Sequence, residues 1–106
     1  ELCTIVWNAY ATMALPGSEL YKEALDKDIP LPDSYEGYSF HSYETLPLPT
    51  SQLTSAEVLE FRDWAWSAYH SYPPFLRKVE EKYGIKQRKN IETMTDIILK
   101  RKLLGD

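Results

Sequence analysis

Between Tyr35 and Pro49 the chain reads Tyr-Glu-Gly-Tyr-Ser-Phe-His-Ser-Tyr-Glu-Thr-Leu-Pro-Leu-Pro. Apolar residues there recur neither at every second position for long nor at three-and-four spacing, so the stretch fits neither a strand nor an amphipathic helix. Irregular segments of this length are uncommon in compact domains and are usually either functional or disordered. Its rings at Tyr35, Tyr38, Phe40 and Tyr43 argue against disorder, because disordered segments are poor in aromatics. The stretch is therefore expected to be an ordered loop, packed over the helices that follow it.

The chain on either side divides into recognisable signals. Leu2–Ala14 alternates, with Cys3, Ile5, Trp7, Ala9, Ala11 and Met13 on one side and Thr4, Val6, Asn8, Tyr10 and Thr12 on the other. That period suggests a strand, although Ala9, Ala11 and Ala14 also suit a helix. Pro16-Gly17 ends the segment, and Ser18 followed by Glu19 reads as the cap of a short helix running to about Lys27. Its inward stripe would be Leu20, Tyr21, Ala24 and Leu25. Pro30 and Pro32 mark a linker.

Thr54-Ser55-Ala56-Glu57 is a capping box, with threonine at the cap and glutamate three residues on. The helix it opens is expected to reach about Ser71, with Val58, Phe61, Ala65, Ala68 and Tyr69 facing inward and Trp64 and Trp66 as core or interface. Pro73-Pro74 stops that helix and starts another, which Gly84 ends. A last helix is expected over 90–104, its apolar face at Ile91, Met94, Ile97, Ile98 and Leu104, with Lys100, Arg101 and Lys102 complementing its C-terminal dipole.

At 106 residues and 43% hydrophobic content, the chain can build a single core. No apolar run reaches the roughly 18–20 residues that span a bilayer. One cysteine, Cys3, excludes an internal disulfide and fits a reducing, cytoplasmic compartment. The chain opens on Glu1 within an alternating segment, as expected of a piece of something longer. Residues 1–60 hold two basic and ten acidic groups, whereas residues 61–106 hold ten basic and six acidic. The basic residues are interspersed with acids, which suits docking on a neighbouring domain better than nucleic acid.

Catalytic chemistry is thin. His41 and His70 are 29 positions apart with no Cys or His nearby, a spacing that does not make a zinc site. His41, among Ser39, Ser42, Tyr43 and Glu44, is either an acid/base group or a histidine bonded to its own loop. His70 reads as a positive charge at a helix end, and Cys3 as a small core residue. Tyr38, Phe40 and Tyr43 either line a pocket or pack on the helices. The glycines are isolated, so there is no phosphate-cradling loop.

Several stretches together carry a family likeness. Ala14-Leu15-Pro16-Gly17-Ser18-Glu19-Leu20-Tyr21 resembles the turn after a late barrel strand in radical S-adenosylmethionine (SAM) enzymes. Tyr38-Ser39, His41 to Thr50, Ser55 to Asp63 and Lys100 to Leu104 are similar to the C-terminal region of radical SAM proteins that carry a cobalamin-binding domain. The resemblance implies a mainly α chain. Residues 1–28 would be the last strand and helix of a partial TIM-type barrel, 29–53 a linker and aromatic loop, and 54–106 a small helical domain.

It also implies a parent enzyme that holds a 4Fe-4S cluster and SAM, and possibly cobalamin. The family's Cys-x3-Cys-x2-Cys loop is missing here, so the chain alone would hold no cofactor and no catalytic residue. Its partner would be the upstream barrel of the same polypeptide, with neither nucleic acid nor membrane, and the excised piece could form a homo-oligomer. In such barrels chemistry sits at the C-terminal strand ends. That position makes Asn8, Tyr10 and Thr12 candidates for cofactor contact, and Tyr38, His41 and Tyr43 candidates for closing over substrate. The rival reading is a free-standing helical module that binds protein through the loop and Trp64/Trp66.

Overall fold

The computed structural model describes residues 8–106. Its described part is mainly helical: α1 (Glu19–Asp26), α2 (Ser55–His70), α3 (Pro73–Tyr83) and α4 (Ile85–Thr95), with 3-10 turns at Tyr35–Tyr38 and Lys102–Leu104. No described helix is long and apolar enough to cross a membrane. The chain forms two compact units. One takes Asp63–Ile98, with Asn8 and Ala9 among the described residues; the other takes Tyr10–Arg62 and Leu99–Asp106.

Local chemistry sets most helix ends. The Ser18 hydroxyl accepts from the Tyr21 amide at 3.2 Å and donates to the Leu15 carbonyl at 2.6 Å, tying the Pro-Gly turn to α1. At α2 the capping box closes in both directions. The Glu57 amide donates to Thr54 Oγ1 at 3.2 Å and the Thr54 amide donates to Glu57 Oε2 at 2.8 Å. Two orphan donors of the first turn are satisfied by one pair of side chains. Helix α3 begins on Pro73-Pro74, where the missing amide costs nothing. It stops at Gly84, whose φ of 96° lies in a region that favours glycine.

Helices α3 and α4 form the hairpin core of the first unit. Phe75, Leu76, Val79 and Ile91 are buried together, with Tyr69 packed against them. Arg88 pairs across the hairpin with Glu80 at 2.7 Å and, within α4, with Glu92 at 2.9 Å. Those two hydrogen bonds, to Glu92 first and Glu80 second, raise the guanidinium above its usual pKa.

Three expectations are corrected. No strand forms among the described residues: 8–15 are irregular, and the Thr12 carbonyl accepts from Leu48 N–H at 2.8 Å without a ladder around it. A period-two pattern makes a strand only where a neighbour offers a full ladder, and a lone βα unit brings none. Cys3 and residues 1–7 lie outside the described part. The stripe of α1 is also less buried than its spacing suggests, for Ala24 is buried while Leu20 and Leu25 are exposed.

The last helix starts and stops earlier than its apolar spacing predicts. Gly84 both caps α3 and precedes α4 directly, so α4 begins at Ile85. It ends at Thr95, whose hydroxyl turns back onto the Glu92 carbonyl at 2.8 Å, a side-chain bond that competes with further helix. Of the apolar residues assigned to it, Ile91 is buried, Met94 and Ile97 are exposed, and Ile98 is 83% exposed. Lys100 and Arg101 lie in irregular chain rather than in a helical last turn, and Lys102 opens the closing 3-10 turn.

Candidate functional site

The loop expected over Tyr35–Pro49 is present and ordered by its own backbone. After the 3-10 turn at Tyr35–Tyr38, successive turns are closed by Ser39 N–H to the Glu36 carbonyl (3.1 Å), Ser42 N–H to Ser39 (3.3 Å) and Thr45 N–H to Ser42 (3.4 Å). Leu46 N–H then returns to the Gly37 carbonyl at 3.0 Å. Segment 37–46 is thus a surface loop whose two ends are bonded to each other, the pattern of an Ω-loop. The Ser42 hydroxyl adds a bond to the Glu36 carbonyl at 2.5 Å. Gly37 is buried at this neck, where a Cβ would overlap Pro32 and press on the Glu44 carbonyl.

The C-terminal segment fastens this loop. Arg101 is 0% exposed. Its Nη1 donates to the Phe40 carbonyl at 2.9 Å and to the Ser42 carbonyl at 3.0 Å, so one guanidinium nitrogen serves two oxygens of the loop. Around it, Lys102 N–H donates to the Tyr43 carbonyl (2.9 Å), Lys102 Nζ pairs with Glu44 (3.2 Å), and the Tyr43 hydroxyl donates to the main-chain oxygen of Asp106 (2.9 Å). Asp106 folds back in turn, its carboxylate accepting from Arg101 N–H at 3.0 Å and its own amide donating to the Arg101 carbonyl at 3.2 Å.

The sequence-derived site residues fall as follows. Tyr10 and Phe40 pack in a tilted arrangement with ring centroids 4.5 Å apart, and Tyr10 meets His41 edge-on at 6.3 Å. His41 is exposed, Tyr43 is 44% exposed and anchored by its hydroxyl, and Tyr38 is half-buried. Burial raises the Tyr38 phenol above its ordinary pKa, and the Tyr21 and Tyr35 phenols add to the shift. Thr12 is exposed, its carbonyl taken by Leu48. Asn8 belongs to the other unit, where its side chain accepts from the Ala9 amide at 2.9 Å. The structure thus brings Tyr10, Phe40 and His41 into one ring cluster and ties Tyr43 to the tail.

Sequence reasoning missed Arg101 and misjudged His70. Arg101 sits in a basic triplet whose spacing gives no hint that its middle member is buried. His70 is 1% exposed, so it is not a solvated charge at a helix end. Its ring lies against Trp66 (4.5 Å), Tyr69 (5.2 Å) and Phe75 (5.7 Å). Trp66 is half-buried against it, whereas Trp64 is exposed.

Among the described residues no three His, Cys, Asp or Glu side chains stand close enough to share a metal ion. With a single cysteine in the chain, these residues do not supply the thiolates that a 4Fe-4S cluster requires. Compared with known proteins, the chain matches no protein-family model, no curated protein and no solved structure.

Proposed function

We propose that this chain is the cytoplasmic C-terminal region of a radical SAM enzyme of the cobalamin-binding-domain type, where its aromatic loop helps close the substrate cavity. One observation carries the reading. The stretches on which the resemblance rests are distant in sequence, and two of them, His41 to Thr50 and Lys100 to Leu104, hold one another through Arg101, Lys102 and Tyr43. All of these stretches apart from Asp63 fall in the unit formed by Tyr10–Arg62 and Leu99–Asp106. A shared pattern in segments that fold into one unit is what a common structural role would leave behind.

In this reading the cluster, SAM and any cobalamin are held by upstream polypeptide, and the chain contributes rings and a rigid loop. Residues 8–15 would find the neighbouring strand they need in the parent barrel. Tyr38, His41 and Tyr43 would shield the reacting radical from water, a role that asks for ordered, partly apolar side chains rather than for acid/base chemistry. The test is to replace His41 and Tyr43 by Ala in the full-length enzyme and to measure substrate turnover separately from SAM cleavage. Continued SAM cleavage with diminished turnover supports the lid. Unchanged turnover in both variants removes it.

A further inference from the structure

We propose that loop 37–46 is a guanidinium-binding site, occupied in cis by Arg101, and that the segment Leu99–Asp106 is the strap that delivers this group. The loop turns two main-chain carbonyls, Phe40 and Ser42, onto one nitrogen, and that nitrogen is fully buried. Both carbonyls belong to the chain of turns that closes the loop, so filling the site and folding the loop are one event. A guanidinium suits the position because it is planar, has several donors in a fixed fork and is weakly hydrated, so little is lost when it leaves water. A lysine ammonium is a compact, strongly hydrated charge and meets none of those conditions.

Of the other side-chain bonds between strap and loop, Lys102–Glu44 is a surface pair and Tyr43–Asp106 an exposed hydrogen bond, and such contacts contribute little individually. The Lys102 amide bond to the Tyr43 carbonyl is made by the main chain alone. The Arg101 side chain is accordingly the component whose removal should release the loop. The core of Phe75, Leu76, Val79 and Ile91 lies in the other unit and should remain as it was.

The experiment is amide hydrogen exchange on the 106-residue chain carrying Arg101→Ala, read at Thr45 and Leu46 in the loop and at Val79 and Ile91 in the core. Loop protection is expected to fall roughly tenfold or more, the scale of a lost charge-assisted hydrogen bond. Core protection should be unchanged. Millimolar ethylguanidinium, the fragment that the substitution deletes, should restore loop protection in a saturable way, and propylammonium of equal charge should not. Undiminished loop protection in the variant overturns the proposal, as does rescue by neither cation or equally by both. Should Arg101→Ala lose the core as well, Arg101→Lys decides. A folded core with a fast-exchanging loop supports a guanidinium-selective site. Wild-type loop protection, or loss of the core again, overturns it.

Discussion

Nδ1 of His70 lies 2.8 Å from the carbonyl oxygen of Trp66, one turn earlier in α2, while its Nε2 is buried with no hydrogen-bond partner among the described residues. A carbonyl only accepts, so Nδ1 carries the hydrogen. The bond is made within the same helix and adds nothing that links one element to another. What holds His70 in place is the packing of three rings around it.

That arrangement separates shape from polarity at this position. His70→Ala should cost about 2–4 kcal/mol, the usual consequence of emptying a ring-sized space in a core. His70→Phe keeps a ring and removes a buried nitrogen with no hydrogen-bond partner among the described residues, and should stay within about 1 kcal/mol of the parent or exceed it. Urea unfolding of both variants measures the difference. A large loss in His70→Phe would mean that the imidazole nitrogens matter.

The reciprocal bonds at the start of α2 make a second test. Thr54→Ala should cost about 1 kcal/mol. Adding Glu57→Ala should cost less than the sum of the two single changes, because either substitution already breaks the box. A double-mutant cycle by denaturant unfolding reads the coupling directly.

At the neck of the loop, Gly37 has room for no side chain. Its replacement by Ala sets a Cβ against Pro32 and 3.3 Å from the Glu44 carbonyl, so the Leu46–Gly37 bond must shift. A cost of about 1–3 kcal/mol is expected, as for overpacking elsewhere. Faster exchange of the Leu46 amide should accompany it.

Alkaline pH offers a fourth test. The Tyr38 phenol is raised above the ordinary tyrosine value, chiefly by burial. A group whose pKa rises on folding contributes stability that is complete below its unfolded value and is lost as pH climbs through its folded value. As pH rises above about 10, the ordinary tyrosine value, the parent should therefore lose more stability than Tyr38→Phe does. In the folded protein, the variant should lack one late-ionising phenol in the ultraviolet titration.

Much of the helical framework was legible because its signals are local. Thr54 with Glu57, Ser18 after Pro16-Gly17, and Pro73-Pro74 followed by Gly84 each act within one turn of chain, and each lies where its chemistry places it. The loop was legible for the opposite reason, since nothing in Tyr35–Pro49 satisfies a regular period. What failed depended on distant partners. Alternation over 8–14 does not reveal whether a neighbouring strand exists. The burial of Arg101 depends on carbonyls of Phe40 and Ser42, 61 and 59 residues away in sequence. His70 looked like a cap because it stands at a helix end, and only the folded chain surrounds it with Trp66, Tyr69 and Phe75.

The proposed role is most directly tested on the longer polypeptide that would contain this chain, purified without oxygen and assayed for cluster absorption and for 5′-deoxyadenosine released from SAM. The account predicts a 4Fe-4S spectrum and SAM cleavage in that protein, with neither in the 106-residue chain alone. A parent without a cluster, or a cluster bound by this chain by itself, would contradict it.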